Sequence, residues 1–111
     1  MKDVIKDNRK VRRLLEERFN ELYLLYSDVI DDASKYGKKI DKSAMSRFFK
    51  RDDKGLFLTS AKGSLSQSAI LWLCIRYGIR VDLDITKDPY NEDECLTNLK
   101  QFENGQTYKF E

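Results

Sequence analysis

The stretch IDKSAMSRFFKR, residues 40–51, contains the side chains whose types and spacing favour a chemistry of recognition. On a helix, Lys42, Ser43, Ser46 and Arg47 share one face, because residues three and four apart are neighbours there. Lysine and arginine donate hydrogen bonds to anionic oxygens, and serine hydroxyls both donate and accept. The stretch therefore predicts a short helix with an apolar inner face and a polar, basic outer face.

Little in this sequence indicates a catalytic function. The chain contains no histidine, which is the commonest general base in enzymes. The adjacent pairs Asp31–Asp32 and Asp52–Asp53 are not preset as acid–base dyads, since neighbouring side chains on a helix diverge by about 100°. Solvated surface charge explains both pairs more simply. The sequence contains no nucleophile, metal-ligand or phosphate-loop constellation, so we expect no enzyme and no bound cofactor or metal.

The two cysteines indicate neither a zinc site nor a disulfide framework. Cys74 lies in an apolar run and Cys95 in an acidic stretch, and neither has a second cysteine close by. The longest apolar run, Ala69–Ile75, is far shorter than the roughly 20 residues that cross a bilayer, and the N-terminus lacks the apolar core of a signal peptide. We expect reduced thiols, no membrane association and a cytoplasmic location.

Charge is unevenly distributed, although the net charge is only +2. Residues 35–62 carry nine basic and three acidic side chains, whereas residues 81–111 carry three basic and eight acidic ones. A basic block around residues 40–51 suits a surface that binds phosphate groups. Chance clustering of surface lysines and arginines would produce the same block, so charge alone leaves both interpretations open.

Apolar residues at steps of three and four predict helix from about residue 9 to about residue 36. Ser27 and Asp28 are residue types that begin helices, which favours two consecutive helices over one bent helix. Gly37 is suited to end the second helix in the left-handed conformation, and Asp41 is suited to cap the next one.

The middle of the chain predicts a loop followed by a core helix. Residues 52–64 form a loop, or a strand over Leu56–Thr59. Ser64 and Gln67 have the spacing of a capping box before SAILWLCIRYG, and Gly78 closes that run. Because apolar residues nearly encircle this helix, we expect it at the centre of the core.

The C-terminal part predicts a strand, a helix and a second strand. Apolar and polar residues alternate over Ile79–Thr86, which indicates one half-buried strand. Asp88–Pro89 is expected to begin a short helix, and ENGQTYKFE predicts a turn followed by a strand over Thr107–Phe110. We expect a mainly α fold with a small β element (α+β), in a single domain spanning residues 1–111.

The quoted stretch also resembles the end of the turn and the recognition helix of the lambda-repressor/Cro-like helix-turn-helix family. Ile40 to Arg47 fill that family's pattern: an aliphatic residue, a small polar cap, polar residues, an aliphatic residue and then Ser-Arg. Ala33 and Gly37 match the small residue and the turn glycine of the preceding helix. Downstream, GSLSQSAILWLCIRYGI resembles the fourth helix of the family.

The resemblance covers roughly residues 25–80 and departs from the family in two places. GKKI lengthens the turn by two lysines, and RDDKGLFLTSAKG is longer than the usual connection. On this basis the domain divides into an N-terminal helix (1–26), a helix-turn-helix-like core (27–80) and a β/α C-terminal extension (81–111).

The resemblance implies a sequence-specific DNA-binding protein, a small transcriptional regulator whose 41–51 helix enters the major groove. Lys42, Ser43, Ser46 and Arg47 would read base edges, with a phosphate contact or a solvated position as the alternative for Arg47. Five further residues would contact phosphates: Lys38, Lys39, Lys50, Arg51 and Lys54. One such helix reads too few base pairs to select a site, so a homodimer or a partner protein is expected on double-stranded DNA.

The alternative is a protein-binding protein, an adaptor or an inhibitor, whose basic patch docks on an acidic protein surface. The acidic residues 81–111, which have no counterpart in the family, favour this interpretation. The compact chain and its unusual extension suggest a phage or mobile-element protein. Salt distinguishes the two functions, since a DNA binder loses affinity steeply with salt across many sequences.

Overall fold

Periodic apolar spacing produces helices along most of the described part of the chain. The computed structural model describes residues 9–57, 64–81 and 84–103. Within these ranges it contains five helices and one two-stranded antiparallel sheet, which confirms a mainly α fold with a small β element. The elements are α1 (Arg9–Glu21), α2 (Tyr26–Lys35), α3 (Lys42–Phe48), α4 (Gln67–Tyr77), β1 (Ile79–Arg80), β2 (Thr86–Lys87) and α5 (Glu92–Glu103).

Residues 9–35 form two helices, as predicted, but the second begins before Ser27. α2 starts at Tyr26, with Leu25 at the N-cap position. The carboxylate of Asp28 accepts a hydrogen bond from the Leu25 N–H at 2.8 Å. Asp28 thus satisfies a backbone donor from inside the first turn, where a negative charge also suits the helix dipole.

The turn between α2 and α3 confirms the roles predicted for its glycine and its aspartate. Gly37 has φ +80°, and its N–H and that of Lys38 donate to carbonyl oxygens in the last turn of α2 at 3.0 and 2.8 Å. This pair of bonds is a Schellman motif, which ends a helix. Asp41 is the N-cap of α3, and its Oδ2 accepts from the Ala44 N–H at 3.0 Å.

Helix α4 lies at the centre of the core, as its apolar sequence predicts. It packs against α1, α5 and β1, and every residue from Trp72 to Tyr77 is buried. Its N-cap is Ser66, whose Oγ accepts from the first turn at 3.2 Å, so the prediction that Ser64 caps this helix was wrong. The later start leaves Leu65 just before the cap, where its side chain packs against the core.

A short antiparallel hairpin replaces the single strand predicted over Ile79–Thr86. The left-handed Gly78 (φ +76°) ends α4, and the chain then reverses so that Ile79 pairs with Lys87 and Arg80 with Thr86. The alternation of apolar and polar residues indicates which side chains are buried, but it does not indicate where the chain reverses direction. Residues 82–83 lie outside the described ranges.

Helix α5 begins later than predicted, because Asn91 and not Asp88 caps it. Asn91 Oδ1 accepts a hydrogen bond from the Glu94 N–H at 3.0 Å, and the helix starts at Glu92. The Asp88 carboxylate instead accepts from Arg80 Nη2 at 3.1 Å, which ties it to the hairpin. Asn91 therefore supplies the cap, and Asp88 belongs to the hairpin.

Some predicted features lie outside the described residues. Phe57 forms an isolated antiparallel bridge with Arg51, and Leu56 lies outside any strand. Residues 58–59 of the strand predicted over Leu56–Thr59 are not described. The turn and strand predicted for ENGQTYKFE also fall beyond residue 103.

Candidate nucleic-acid interface

The inner face of α3 is anchored in an aromatic cluster. Met45, Phe48 and Phe49 are buried, and the Phe49 ring lies 5.8 Å from the Phe19 ring of α1. Phe49 also stacks on Tyr26, the first residue of α2, with 5.3 Å between the ring centroids. Because the helix contacts both α1 and α2 through rigid rings, its orientation is defined by packing.

The outer face of α3 brings together four predicted base-reading residues and one predicted phosphate contact. All five side chains are exposed and border one shallow surface depression: Lys42, Ser43, Ser46, Arg47 and Lys50. Three of them are cationic, two carry hydroxyl groups, and none carries a carboxylate. A surface of this composition donates hydrogen bonds to anionic and polar acceptors.

Lys38 and Lys39 lie apart from that face, in the turn between α2 and α3. They border a second depression together with Ile30 and Ile40. Lys38 Nζ donates to Ser68 Oγ in the first turn of α4 at 2.9 Å. This contact links the turn between α2 and α3 to the start of the central helix.

Arg51 and Lys54 belong to the loop that follows α3. The Arg51 guanidinium donates to the Gly55 carbonyl at 2.7 Å and to Glu16 on α1 at 2.6 Å, and it lies 4.0 Å from the centre of the Phe57 ring. These contacts hold the loop against α1. Lys54 lies in the same loop and is exposed to solvent. The guanidinium of Arg51, in contrast, is bonded to Gly55 and Glu16 within the protein.

Sequence reasoning missed a buried arginine on the central helix. Arg76 donates from Nε to Asp32 Oδ2 at 2.8 Å, from Nη2 to Asp32 Oδ1 at 3.2 Å and from Nη1 to the Tyr90 hydroxyl at 2.6 Å. Burial by itself lowers the pKa of Arg76, but its bonds to Asp32 and the influence of Tyr90 outweigh that effect and raise the pKa above its ordinary value. The available signal was a lone arginine inside the apolar run SAILWLCIRYG.

A second buried arginine, Arg18, ties α1 to the end of α4. Its Nε donates to the Tyr77 carbonyl at 2.8 Å, and its Nη2 donates to the Asp88 carbonyl. Its Nη1 pairs with Glu21 at 2.9 Å, and its guanidinium lies 5.2 Å from the centre of the Tyr90 ring. Arg18 and Arg76 therefore position helices, and neither faces the surface of α3.

The described residues contain no group of three side chains that could hold a metal ion. Cys74 and Cys95 are both buried, and burial raises the pKa of each thiol. A buried thiol with a raised pKa is a poor nucleophile. None of the described helices is long and apolar enough to span a bilayer.

Comparison of the chain with protein families, with curated proteins and with solved structures finds no match. The chemistry of the α3 surface and the helices that orient it are therefore the guide to the function of this chain.

Proposed function

We propose that this protein binds double-stranded DNA by placing the outer face of α3 in the major groove. The proposal is based on the observation that α3 has one buried face and one exposed face. Buried aromatic residues fix one face on α1 and α2, and the other presents Lys42, Ser43, Ser46, Arg47 and Lys50 to solvent without a carboxylate among them. A major groove admits a helix and offers base edges that such side chains recognise.

The side chains on α3 are expected to have different roles, because they differ in length and in hydrogen-bonding groups. Arg47 is suited to donate two parallel hydrogen bonds to a guanine edge, and Ser43 and Ser46 to donate to or accept from neighbouring bases. Lys42 sits in the first turn of the helix and also faces the groove. Lys50, just beyond the helix, would contact a phosphate and so contribute affinity with little sequence information.

The flanking lysines extend the phosphate contacts on both sides of α3. Lys38 and Lys39 precede the helix, and Lys54 follows it. Arg51 is left out of this set, since its guanidinium is held by Glu16 and Gly55 and serves to position the loop. With about four neutralised phosphates, the slope of log affinity against log salt is expected near −3.6.

The acidic C-terminal region favours one orientation of the protein on DNA. Glu92, Asp93 and Glu94 form the first turn of α5, which packs against α4. Phosphate repulsion disfavours any approach through these carboxylates. Binding through α3 is the approach that best matches the charge distribution.

A titration of a random duplex of about 30 base pairs tests the proposal. Fluorescence anisotropy is recorded at about 50 mM and about 200 mM salt for the wild type and for a Lys42→Glu, Arg47→Glu double variant. The wild type is expected to bind and to weaken at the higher salt. The double variant is expected to lose at least about 100-fold in affinity, because two cations become anions in the groove.

A Lys10→Glu, Lys100→Glu double variant is the matched control. It carries the same change of net charge on α1 and α5, so it separates the α3 surface from a general charge effect. Circular dichroism verifies that each variant is folded. The absence of wild-type binding at low salt, or an equal loss in both double variants, would overturn the proposal and leave an acidic protein as the candidate partner of this surface.

A further inference from the structure

The exposed side chains of α3 contain more hydrogen-bond donors than acceptors. Lys42, Ser43, Ser46 and Arg47 are the exposed residues of this helix. The lysine and the arginine only donate, whereas each serine hydroxyl donates one hydrogen bond and also accepts. The helix contains no aspartate, glutamate, asparagine or glutamine. Its outer face is therefore suited to bases that present acceptors.

The carboxylates on either side of α3 accept hydrogen bonds from the backbone of the protein. Asp41, the N-cap, accepts from the Ala44 N–H at 3.0 Å. Asp52, in the loop after the helix, accepts from the N–H groups of Lys54 and Leu56 at 2.9 and 3.0 Å. Neither carboxylate borders the surface depression on the outer face of α3, so neither adds an acceptor to that face.

Each base presents a different set of groups in the major groove. Guanine has two neighbouring acceptors, O6 and N7, whereas adenine has N7 beside an amino donor, and cytosine has an amino donor. Thymine has one acceptor and a methyl group. A cationic side chain therefore donates two parallel hydrogen bonds to guanine and to no other base.

The outer face of α3 also lacks the groups that recognise an A·T pair. Adenine is read by the amide of asparagine or glutamine, and the thymine methyl group by an apolar side chain. The apolar residues of α3 point inward, since Ala44 is half-buried and Met45 and Phe48 are buried. An A·T pair thus offers this face fewer favourable contacts than a G·C pair.

The spacing of the two cations on α3 sets the distance between the bases that they reach. Lys42 and Arg47 are five residues apart and border the same surface depression. Five residues correspond to a rise of about 7.5 Å along a helix. Because the base pairs of B-DNA are about 3.4 Å apart, the two side chains reach base pairs about two steps apart when the helix follows the groove.

We propose that the outer face of α3 selects G·C-rich DNA and binds best where two guanines lie about two base pairs apart. The inference rests on the proposed function and names the class of sequence that this surface prefers. Arg47 pairs with one guanine and Lys42 with the other. Ser43 and Ser46 contact the bases between them, where a hydroxyl accepts from the amino group of cytosine or donates to a base acceptor.

Three duplexes of about 20 base pairs test the preference, since equal length gives them equal phosphate charge. The first contains G·C pairs with guanines at alternate positions, and the second contains only A·T pairs. The third repeats the first with 7-deazaguanine, which lacks the N7 acceptor but still pairs with cytosine. In anisotropy titrations the wild type is expected to bind the first at least about tenfold more tightly than either of the others.

A Lys42→Ala, Arg47→Ala variant is expected to bind the three duplexes with affinities within about twofold of one another, because it lacks both cationic donors. A Lys39→Ala, Lys54→Ala variant is the matched control. It loses the same charge outside α3, so it is expected to bind every duplex more weakly and to keep the tenfold preference. All four side chains are exposed, and circular dichroism verifies that both variants are folded.

The possible outcomes separate this inference from the proposed function. Equal wild-type affinity for all three duplexes overturns the guanine preference and leaves DNA binding standing. Equal affinity for the guanine and 7-deazaguanine duplexes also overturns it, since the preference would then follow the shape of the DNA. If the wild type binds none of the duplexes at about 50 mM salt, DNA binding itself fails, and the guanine preference fails with it.

Discussion

Arg76 on α4 and Asp32 on α2 form a bidentate, partly buried ion pair. Nε lies 2.8 Å from one carboxylate oxygen and Nη2 lies 3.2 Å from the other, and the Tyr77 hydroxyl donates to the same carboxylate at 3.2 Å. The pair joins the central helix to the helix that precedes α3. It therefore helps to set the orientation of α2 and α3, on which the proposed DNA-binding surface depends.

Replacement of Asp32 by alanine is expected to destabilise the protein by about 2 kcal/mol. The Arg76 side chain is only 6% exposed, so loss of its main partner leaves a buried charge with fewer bonds. Tyr90 and Glu92 still contact Arg76 and limit the loss. Urea denaturation measures the change in the free energy of unfolding.

The neighbouring Asp31 provides the control for this prediction, since its side chain is exposed. Its replacement by alanine is expected to change stability by less than about 0.5 kcal/mol. Equal stability of the two alanine variants would mean that the ion pair contributes nothing beyond a surface charge.

The buried thiol of Cys74 predicts a loss of stability at alkaline pH. Burial raises the pKa of Cys74 from its ordinary value near 9 to about 12. The folded protein therefore retains a proton that the unfolded chain releases, so this contribution to stability is complete below pH 9 and is lost as the pH rises towards 12. The expected slope is about 1.4 kcal/mol per pH unit in that window.

A Cys74→Ala variant isolates this effect from the other groups that titrate at high pH. The variant loses packing by an amount that does not depend on pH, and it lacks the thiol. The stability difference between wild type and variant is expected to be constant up to about pH 8.5 and then to shrink. Guanidinium denaturation under reducing conditions measures it, and a constant difference up to about pH 10.5 would contradict the prediction.

Tyr23→Gly is expected to stabilise the isolated protein by about 1 kcal/mol, because glycine adopts φ +57° without steric cost. Tyr23→Ala serves as the comparison. Alanine removes the exposed ring but keeps the unfavourable backbone conformation, so little gain is expected from it. Thermal unfolding of the wild type and the two variants tests this prediction. Equal melting temperatures for the glycine and alanine variants would exclude backbone strain in the turn between α1 and α2.

Local signals in the sequence were sufficient to predict the turn between α2 and α3, although α3 ends at Phe48 and not at residue 51. Gly37 and Asp41 act through hydrogen bonds to residues at most four positions away, so their chemistry is visible in the sequence itself. The outward face of α3 follows from helical spacing for the same reason. The polar residues predicted to share a face, Lys42, Ser43, Ser46 and Arg47, are indeed exposed together.

Features that depend on distant residues could not be predicted in this way. Arg76 is held by Asp32, 44 positions earlier, and Arg18 donates to the Tyr77 carbonyl, 59 positions later. No local pattern identifies such partners. The engaged guanidinium of Arg51 is a further case, since its bond to Glu16 joins residues 35 positions apart.

The reversal of the chain between β1 and β2 also depends on residues that are distant in the sequence. The alternating pattern fits a strand or a short hairpin equally well, and pairing of Ile79 with Lys87 is a matter of tertiary structure. Helix α5 was predicted to begin at Asp88–Pro89 because this pair has the right types for a helix start. Asp88 instead pairs with Arg80, and Asn91 supplies the cap.

Within the proposed function, Arg47 and Lys50 are expected to have separable roles. After selection of a preferred duplex from a random pool, Arg47→Ala is expected to cost about 2 kcal/mol on that duplex and much less on an unrelated one, since it removes hydrogen bonds to a base. Lys50→Ala is expected to weaken both duplexes alike and to reduce the magnitude of the salt slope by about 0.9, because it removes one phosphate contact. Anisotropy titrations at several salt concentrations measure both effects. Equal losses on the two duplexes for Arg47→Ala would assign Arg47 to the phosphate backbone, and the reading of bases would then have to rest on Lys42, Ser43 and Ser46.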